Sequence, residues 1–461
     1  MKTGDYDAIV IGAGQAGTPL SVALGQSGRR TALVERAYVG GTCINYGCTP
    51  TKTMVASGRV AYLARRANDY GIRVDSVAVQ MKLVRQRKRE VVESFRASTK
   101  RRIESAPGVD LVFGQASFSG QHTISIETDE GGWTELTGAL IFINSGCSPA
   151  RPAFLEGLPV LDSTSVMELE EVPEHLVVLG GGYVGLEFAQ LFRRLGSRVT
   201  VVQRGAQVLA QEDPDVAEEV TAILRQDGVE VLLQSTPLRA AQVGDSALTL
   251  RVGTPGGERT LTGTHLLAAA GRIPNTAELQ LGRAGVQTDE RGYINVDNRL
   301  QTSAPGIYAM GDVKGGPAFT HISYDDFRVI RTNLLEGGST TTDGRLVPYT
   351  VFIDPQLGRI GLTETQARKT GRPLRIARMP MSSVARAVEV DEARGFMKAV
   401  VDAESEQIVG CAVLGIEGGE LMAAVEIAML GKLRYPVLRD AIFAHPTLAE
   451  SLNTLFGSFV A

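Results

Sequence analysis

The fold of this 461-residue chain is decided by the stretch DAIVIGAGQAG at residues 7–17. Its first five residues predict a short buried strand, and its three glycines predict a tight turn that opens an apolar helix. A second strand is predicted at residues 31–34 and ends at Glu35, which stands 23 residues after the first glycine. In such a unit the helix N-terminus receives a pyrophosphate and the acid receives a ribose. We therefore predict a nucleotide site built from Gly12, Gly14, Gly17 and Glu35.

The same unit starts again at HLVVLGGGYVGLE, residues 175–187. Its turn offers Gly180, Gly182 and Gly185, but the position equivalent to the acid is Gln203, followed by Arg204. A carboxylate there would bind a free ribose 2′-hydroxyl and repel a 2′-phosphate, whereas an arginine accommodates the phosphate. This repeat therefore predicts a second nucleotide site that favours NADPH over NADH. The alternative is that the glutamine bonds a ribose hydroxyl and the arginine is an ordinary surface residue.

Between the two units lies GGTCINYGCTPTK at residues 40–52, with Cys43 and Cys48 separated by four residues and Lys52 four residues farther on. In an ideal helix, Cα atoms five residues apart are roughly 8.6 Å from each other. A disulfide needs less than about 7 Å. We therefore predict a distorted backbone, because glycine reaches conformations that are closed to other residues, and a readily reduced disulfide. The glycines that permit the distortion are Gly40, Gly41 and Gly47.

The composition excludes several classes of protein. The net charge of −4 creates no field that would favour nucleic acid or an anionic membrane. No run of about 18 apolar residues and no signal-peptide pattern occurs, so we expect a soluble cytoplasmic protein. Four cysteines are too few for a disulfide-stapled secreted scaffold, and the close pair is therefore more typical of catalysis. Cys147 and Cys411 are isolated, and we expect them to pack in the interior.

Other elements complete the pattern. Strands at residues 266–270 and 307–310 lead into Gly271 and into Gly311-Asp312. An acid that follows glycine at a strand end can approach a ligand's hydroxyl groups closely, although it can also cap a helix. The helix predicted after Lys52 is expected to turn Val55, Val60 and Leu63 inward.

Short strands mixed with helices follow residue 347 and predict a third, α+β domain. The chain closes with His445 five residues before Glu450. An acid that holds one ring nitrogen makes the other nitrogen a competent proton carrier. Without the upstream cysteines, this His-Pro segment would be interpreted as structural.

Taken together, these motifs resemble the FAD-dependent pyridine nucleotide-disulfide oxidoreductases, the family of glutathione reductase, dihydrolipoamide dehydrogenase and mercuric reductase. The resemblance covers essentially the whole chain. It implies an α/β fold of two Rossmann-like nucleotide-binding domains, as in glutathione reductase, and a C-terminal α+β dimerisation domain. The implied domains are FAD-binding at residues 1–150 and 275–340, NAD(P)H-binding at 151–274, and interface at 345–461.

The resemblance also implies roles for residues. Hydride would pass from NAD(P)H to FAD and then open the disulfide, with Cys48 as the charge-transfer thiol and Cys43 as the interchange thiol. Lys52 and Glu187 match an ion pair beside the flavin. His445, held by Glu450, matches the acid/base group supplied by the partner subunit of a homodimer. Tyr183 matches the aromatic residue that covers the nicotinamide pocket, and the remaining ligands implied are Gly41, Thr42, Gly146, Gly311 and Asp312 for FAD and Gly271 for NAD(P)H.

The stretch AFTHISYDDFR at residues 318–328 resembles the reactive-chlorine-resistance flavoproteins. This mercuric-reductase-like subgroup reduces hypothiocyanous acid and has been linked to copper reduction. The resemblance implies a small oxidant or a metal ion as substrate, with no resident metal. Asp325 and Asp326 are interpreted as a helix start or, alternatively, as metal ligands.

Other functions stay open. Mercuric reductase is disfavoured because neither an added metal-binding domain nor a C-terminal cysteine pair is seen. Dihydrolipoamide dehydrogenase is disfavoured by Gln203 and Arg204. Pyridine nucleotide transhydrogenase would need only the flavin and nucleotide sites. A redox-inert scaffold is disfavoured because the set of candidate catalytic residues is intact.

Overall fold

A computed structural model of the chain describes residues 4–128, 131–244 and 247–459. The strands are β1 (Gly4–Ile11), β2 (Thr31–Glu35), β3 (Val109–Phe113), β4 (Gln115–Phe118), β5 (Thr123–Glu127), β6 (Trp133–Ile143), β7 (Cys147–Pro149), β8 (His175–Leu179), β9 (Arg198–Val202), β10 (Val229–Leu232), β11 (Thr236–Val243), β12 (Ala247–Thr254), β13 (Gly257–Gly263), β14 (His265–Ala268), β15 (Arg272–Pro274), β16 (Ile307–Ala309), β17 (Tyr349–Val351), β18 (Gln356–Gly361), β19 (Leu374–Pro380), β20 (Phe396–Asp402) and β21 (Ile408–Gly415).

The α-helices of the described residues are α1 (Gly17–Gln26), α2 (Gly41–Asn45), α3 (Cys48–Arg65), α4 (Met81–Glu104), α5 (Tyr183–Leu195), α6 (Pro214–Gln226), α7 (Thr320–Leu335), α8 (Glu364–Arg368), α9 (Ala385–Glu389), α10 (Gly418–Leu430), α11 (Tyr435–Arg439) and α12 (Ser451–Gly457). The chain forms two compact units. Of the described residues, the first contains 4–53, 83–128, 131–150 and 271–345, and the second contains 54–82, 151–244, 247–270 and 346–459.

The first unit is built on one sheet with the strand order β3-β2-β1-β6-β5-β4, to which β16 adds beside β6. Strands β3, β2, β1, β6 and β16 run parallel, whereas β4 and β5 are antiparallel additions. The central parts of these strands, such as residues 8–11 of β1 and 31–34 of β2, are mostly apolar because both faces of the sheet are buried there. Their carboxyl ends define the edge at which ligands bind in such sheets.

The second unit contains a four-stranded parallel sheet with the order β10-β9-β8-β14 and a separate three-stranded antiparallel sheet, β11-β12-β13. A five-stranded antiparallel sheet, β17-β18-β21-β20-β19, forms the C-terminal part, where α10 packs on it and apolar side chains fill the core. The predicted fold class is therefore confirmed. The boundaries of the three predicted domains stay a prediction, and their outermost residues, 1 and 461, lie outside the described part of the chain.

One feature of α3 differs from prediction. Val60 and Leu63 are exposed, at 67% and 38%, and the buried positions are instead Thr51, Met54, Gly58 and Ala61. A Cβ on Gly58 would lie 3.0 Å from Leu191 Cδ1 of α5. At Gly58, α3 therefore approaches α5 so closely that a larger side chain would crowd Leu191, while the third predicted position, Val55, is half-buried.

Candidate active site

The cysteine segment is packed directly on the first glycine turn. The Gly40 N–H donates to the Ala13 carbonyl at 2.7 Å, and Gln15 Nε2 donates to the Gly40 carbonyl at 3.1 Å. A Cβ on Gly41 would lie only 2.6 Å from Gly14 Cα. The two backbones therefore touch because both positions are glycine. Gly40 and Gly41 also have φ values of +100° and +60°, so glycine is needed there for conformation as well.

The carboxyl edge of the first sheet fits a dinucleotide. A Cβ on Gly17 would lie 2.0 Å from the Gly12 carbonyl oxygen, so α1 starts tightly against the end of β1. Ser145 Oγ, just after β6, is buried without a hydrogen-bond partner among the described residues. It precedes Gly146, which has a φ of +68°. A buried hydroxyl without a protein partner at this edge is well placed for a ligand to bond it. These residues fit FAD.

Glu35 and Gln203 close the two glycine turns in the same way. Glu35 Oε2 accepts the Ala13 N–H at 2.9 Å, and Gln203 Oε1 accepts the Gly181 N–H at 3.0 Å. Each acceptor follows the second strand of its unit, and each N–H belongs to the residue after the first glycine of the turn. The glutamine therefore keeps the hydrogen bond that holds the turn and removes only the negative charge.

The second glycine turn is open on the side where a phosphate would approach. A Cβ on Gly180 would lie 2.4 Å from the Ala269 carbonyl oxygen, and one on Gly185 would lie 2.0 Å from the Gly180 carbonyl oxygen. A Cβ on Gly182, by contrast, would meet nothing within 4 Å. Arg204 is exposed beside this turn. The turn fits the pyrophosphate of a second nucleotide at the start of α5.

The two catalytic cysteines lie on either side of a helix break. Cys43 lies within α2, which ends at Asn45, and Cys48 is the first residue of α3. The predicted distortion is confirmed, but Gly47 does not have a positive φ. Its Cβ would lie 3.1 Å from the Thr42 carbonyl oxygen, so glycine there relieves crowding in the break.

The sulfurs are in contact with each other and with a threonine. The Cys43 thiol is hydrogen-bonded to Cys48, and Cys48 Sγ lies 3.3 Å from Thr320 Oγ1 at the start of α7. The hydrogen bond to Cys48 raises the pKa of Cys43 most, and burial raises it further. The Thr320 hydroxyl and the Lys52 charge act in the opposite direction.

Lys52 and Glu187 belong to different units. Lys52 lies one helical turn after Cys48 in α3. Glu187 lies on α5 with 5% of its surface exposed, and its Oε1 accepts the Phe352 N–H at 2.9 Å. The ion pair between these two residues stays a prediction.

Asp312 lies in a short 3₁₀ turn, Gly311–Lys314, directly after β16. Burial raises the pKa of its carboxyl group, while the positive charges of Arg272 and Lys314 lower it. The N-terminal cap of the turn is Met310, so Asp312 does not have the capping role that was its alternative.

Gly271 lies in the first unit, just before β15, so the structure does not place it in the unit that holds Gly180.

Tyr183, the first residue of α5, is backed by a second tyrosine. Its ring centroid lies 5.4 Å from that of Tyr349 in β17, whose hydroxyl donates to the buried carboxylate of Glu212. Burial raises the pKa of Glu212. Sequence reasoning missed Tyr349 because nothing in its local pattern links it to a residue so far away in the chain.

His445 and Glu450 do meet. His445 Nδ1 lies 2.9 Å from Glu450 Oε2, and 74% of the histidine side chain is exposed. The acid contacts Nδ1, so Nε2 is the nitrogen that remains for proton transfer.

The other two cysteines are buried, at 4% for Cys147 and 0% for Cys411. Burial raises the pKa of Cys147 to about 11 and that of Cys411 to about 12. Both therefore stay protonated near neutral pH, as expected of packing residues.

Asp325 and Asp326 lie in the second turn of α7, which begins at Thr320, so their interpretation as a helix start is wrong. Arg345 Nη1 lies 3.2 Å from Asp325 Oδ2 and 2.8 Å from Asp326 Oδ1. Over the described ranges, three or more metal-ligating side chains nowhere converge.

Within the described ranges, every helix is too short or too polar to cross a bilayer.

Thr320 is the residue of the cysteine site that sequence reasoning did not single out. Its only sequence signal is that it lies within residues 318–328, the stretch that carries the resemblance to the chlorine-resistance flavoproteins. A threonine has no catalytic signature of its own, so only the fold reveals that it contacts Cys48.

Comparisons with known proteins agree with this geometry. The family profile "Pyridine nucleotide-disulphide oxidoreductase" matches residues 6–326, and the dimerisation domain of the same family matches residues 347–456. A relative in Escherichia coli K12, the probable pyridine nucleotide-disulfide oxidoreductase RclA, is 40% identical over 98% of both chains. The mercuric reductase of Staphylococcus aureus is 32% identical over 98% of this chain and 82% of its own.

A solved structure described as the Cu(II) complex of the HOCl-induced flavoprotein disulfide reductase RclA from Escherichia coli superimposes with a TM-score of 0.90. It is 38% identical and covers 98% of this chain and 99% of its own. The predicted fold, enzyme class and cofactors FAD and NAD(P)H are thereby confirmed. The chain belongs to the pyridine nucleotide-disulphide oxidoreductase family, as an NAD(P)H-dependent flavin disulfide oxidoreductase.

Proposed function

We propose that this enzyme reduces hypothiocyanous acid, or a similarly small oxidant, through the Cys43–Cys48 dithiol. The observation that carries the proposal is the contact of the two sulfurs with each other and with Thr320. Thr320 belongs to the stretch that resembles the chlorine-resistance flavoproteins. FAD, when bound, accepts the hydride of NAD(P)H and passes the electron pair to the disulfide. Gly12, Gly14, Gly17, Ser145 and Asp312 would hold the FAD.

The two thiols have different tasks. We assign the charge-transfer thiolate to Cys48, which begins α3 one helical turn before Lys52, and substrate attack to Cys43. Cys43, once deprotonated, attacks the sulfur of hypothiocyanous acid and forms a sulfenyl thiocyanate as the oxygen leaves as water. Cys48 then attacks Cys43 Sγ, releases thiocyanate and re-forms the disulfide. The dithiol supplies both electrons.

Proton transfer in these steps needs an acid/base group near Cys43. We assign this task to His445 of the partner subunit in a homodimer, because Glu450 holds its other ring nitrogen. The match to the family's dimerisation domain supports the homodimer. Ile427 and Leu430 of α10 are exposed at 67% and 59%, as expected if a second copy of the chain covers them. We place the enzyme in the cytoplasm.

The other predicted residues act on the nucleotides. We propose that Lys52 and Glu187 pair beside the flavin, because Glu187 is buried and a positive charge would stabilise it there. We propose that Tyr183 covers the nicotinamide pocket. The domain roles proposed are FAD binding at 1–150 and 275–340, NAD(P)H binding at 151–274, and subunit contact at 345–461.

Cupric ion is the second candidate substrate. The related E. coli flavoprotein has been solved as a Cu(II) complex. Thiolates are soft ligands that suit copper in its reduced state. The exposed Cys48 and the half-buried Cys43 would therefore bind cupric ion, and closing their disulfide would reduce two cupric ions before NADPH restores the dithiol.

A steady-state screen of the purified enzyme tests the substrate. With NADPH, we expect hypothiocyanous acid to give a kcat/KM at least about tenfold above those for cupric ion, mercuric ion, oxidised glutathione and lipoamide, since a single thiolate attack suffices for this small electrophile. The control is Cys43→Ser, which should lose this activity. Higher activity with lipoamide or mercuric ion would overturn the substrate proposal. Undiminished NADPH to thio-NAD transfer in Cys43→Ser, with no substrate reduced by wild type, would favour the transhydrogenase.

We further propose that NADPH is the preferred donor, because Gln203 is neutral and Arg204 lies exposed beside the turn. We expect Arg204→Ala to raise the KM for NADPH by about tenfold and that for NADH by less than about twofold, since only NADPH has a 2′-phosphate to bond the guanidinium. Steady-state kinetics with both donors measure this. Arg239→Ala, at an exposed arginine of β11, is the matched control. Equal increases in the KM values for the two donors would show that Arg204 does not bind the 2′-phosphate.

A further inference from the structure

Asp326 is a fully buried acid that the proposed reaction does not use. It lies on α7 with 0% of its surface exposed. Its Oδ2 accepts the Gly311 N–H at 2.8 Å and lies 3.3 Å from Lys314 Nζ. Its Oδ1 accepts from Arg345 Nη1 at 2.8 Å. The two cations and the backbone N–H together satisfy a charge that would otherwise be very costly to bury.

The Gly311 turn is fixed from a second direction as well. Gly311 has a φ of +72°, and a Cβ on it would lie 2.8 Å from Asn144 Oδ1. Asn144 Nδ2 in turn donates to the Gly12 carbonyl oxygen at 3.1 Å. The backbone that precedes Asp312 is therefore held between Asp326 and the residue that braces the first glycine turn.

The same cations act on Asp312. Arg272 and Lys314 lower the pKa of Asp312 against the effect of burial, and the negative charge of Asp326 raises it. Lys314, whose side chain is 7% exposed, thus stands between two carboxylates. Removing the charge of Asp326 would change both the position of the turn and the field at Asp312.

We propose that Asp326 is a positioning residue for flavin binding, which with Lys314 and Arg345 fixes the Gly311–Asp312 turn in the geometry that holds FAD. This inference rests on the proposed assignment of Asp312 to FAD. It gives a role to the acidic pair that the sequence left open between a helix start and a metal site.

Asp326→Asn in the full-length holoenzyme tests the inference. It preserves shape and one acceptor for the Gly311 N–H, but removes the charge of one of the two carboxylates that act on Lys314. We expect the dissociation constant for FAD, measured from the fluorescence of flavin released on dilution, to rise by about tenfold. We also expect the visible circular dichroism of the bound flavin to change, which a loss of stability alone would not cause.

Asp325→Asn is the matched control. Asp325 contacts Arg345, as Asp326 does, but its described contacts do not include Gly311. Its FAD affinity should stay within about twofold of wild type. An unchanged dissociation constant and spectrum in Asp326→Asn would overturn the inference. Asp312→Asn separates the two proposals. If Asp312→Asn binds FAD as tightly as wild type, the assignment of Asp312 to FAD is wrong. If Asp312→Asn binds FAD more weakly but Asp326→Asn does not, only the positioning role of Asp326 is refuted.

Discussion

Replacing Cys48 by serine is expected to abolish the long-wavelength absorption band that anaerobic NADPH produces in the wild-type enzyme. This band requires a thiolate in contact with oxidised flavin, and serine stays protonated. We expect turnover with the physiological oxidant to fall by about a thousandfold or more, because a serine cannot close a disulfide with Cys43. Anaerobic titration followed by visible absorbance, with stopped-flow turnover, measures both effects.

Cys43→Ser is the natural counterpart. It removes the same disulfide but leaves the Cys48 sulfur in place, so the band should persist even before NADPH is added, while turnover is lost equally. If Cys48→Ser retains the band, or if Cys43→Ser alone abolishes it, the roles assigned to the two thiols are reversed. Absence of the band from wild type would contradict the dithiol mechanism.

Replacing Arg194 by methionine is expected to give the largest loss of stability. Arg194 on α5 is 5% exposed and lies between two buried acids, with Nη2 at 3.4 Å from Asp227 Oδ2 and Nη1 bonded to Asp354 Oδ2. Its guanidinium also lies 3.9 Å from the centre of the Tyr62 ring. Removing one member of a buried ion network costs about 3–5 kcal/mol, because the remaining charges stay buried without full compensation. The shift of the urea unfolding midpoint of the full-length protein measures it.

Arg66→Met provides a matched control for Arg194→Met. Arg66 also contacts the Tyr62 ring, at 5.2 Å, but its acidic partners Asp69 and Asp391 are 54% and 57% exposed. An ion pair in such surroundings contributes about 1 kcal/mol or less. Midpoint shifts of equal size in the two variants would show that burial of the network around Arg194 is not what makes it important.

Much of the fold could be predicted because its signals are local. The strand before each glycine turn and the apolar helix after the first turn, observed as β1, β8 and α1, each depend on a few neighbouring residues. Where two backbones touch, as at Gly41, the need for glycine is also visible in the sequence.

What could not be predicted depends on partners that are distant in sequence. The prediction for α3 was wrong at Val60 and Leu63 because an apolar pattern predicts burial, whereas the buried face includes Met54 and also Gly58, whose place against α5 only the fold reveals. Thr320, Tyr349 and Asp326 carry no signature in their own segments, since their importance comes from Cys48, Tyr183 and Gly311. The sequence shows Gln203 as a position without a negative charge. It does not show the hydrogen bond that the side-chain amide makes with the turn.

That hydrogen bond has a consequence for how such an enzyme can change its electron donor. In both turns the backbone N–H needs only an oxygen acceptor, and a carboxylate or a carboxamide supplies one equally well. Nucleotide preference is therefore uncoupled from the integrity of the turn. Under the proposed preference for NADPH, an exchange of glutamate for glutamine at this position would help to redirect the enzyme between two cellular pools of reducing power while the hydrogen bond that holds the turn is kept.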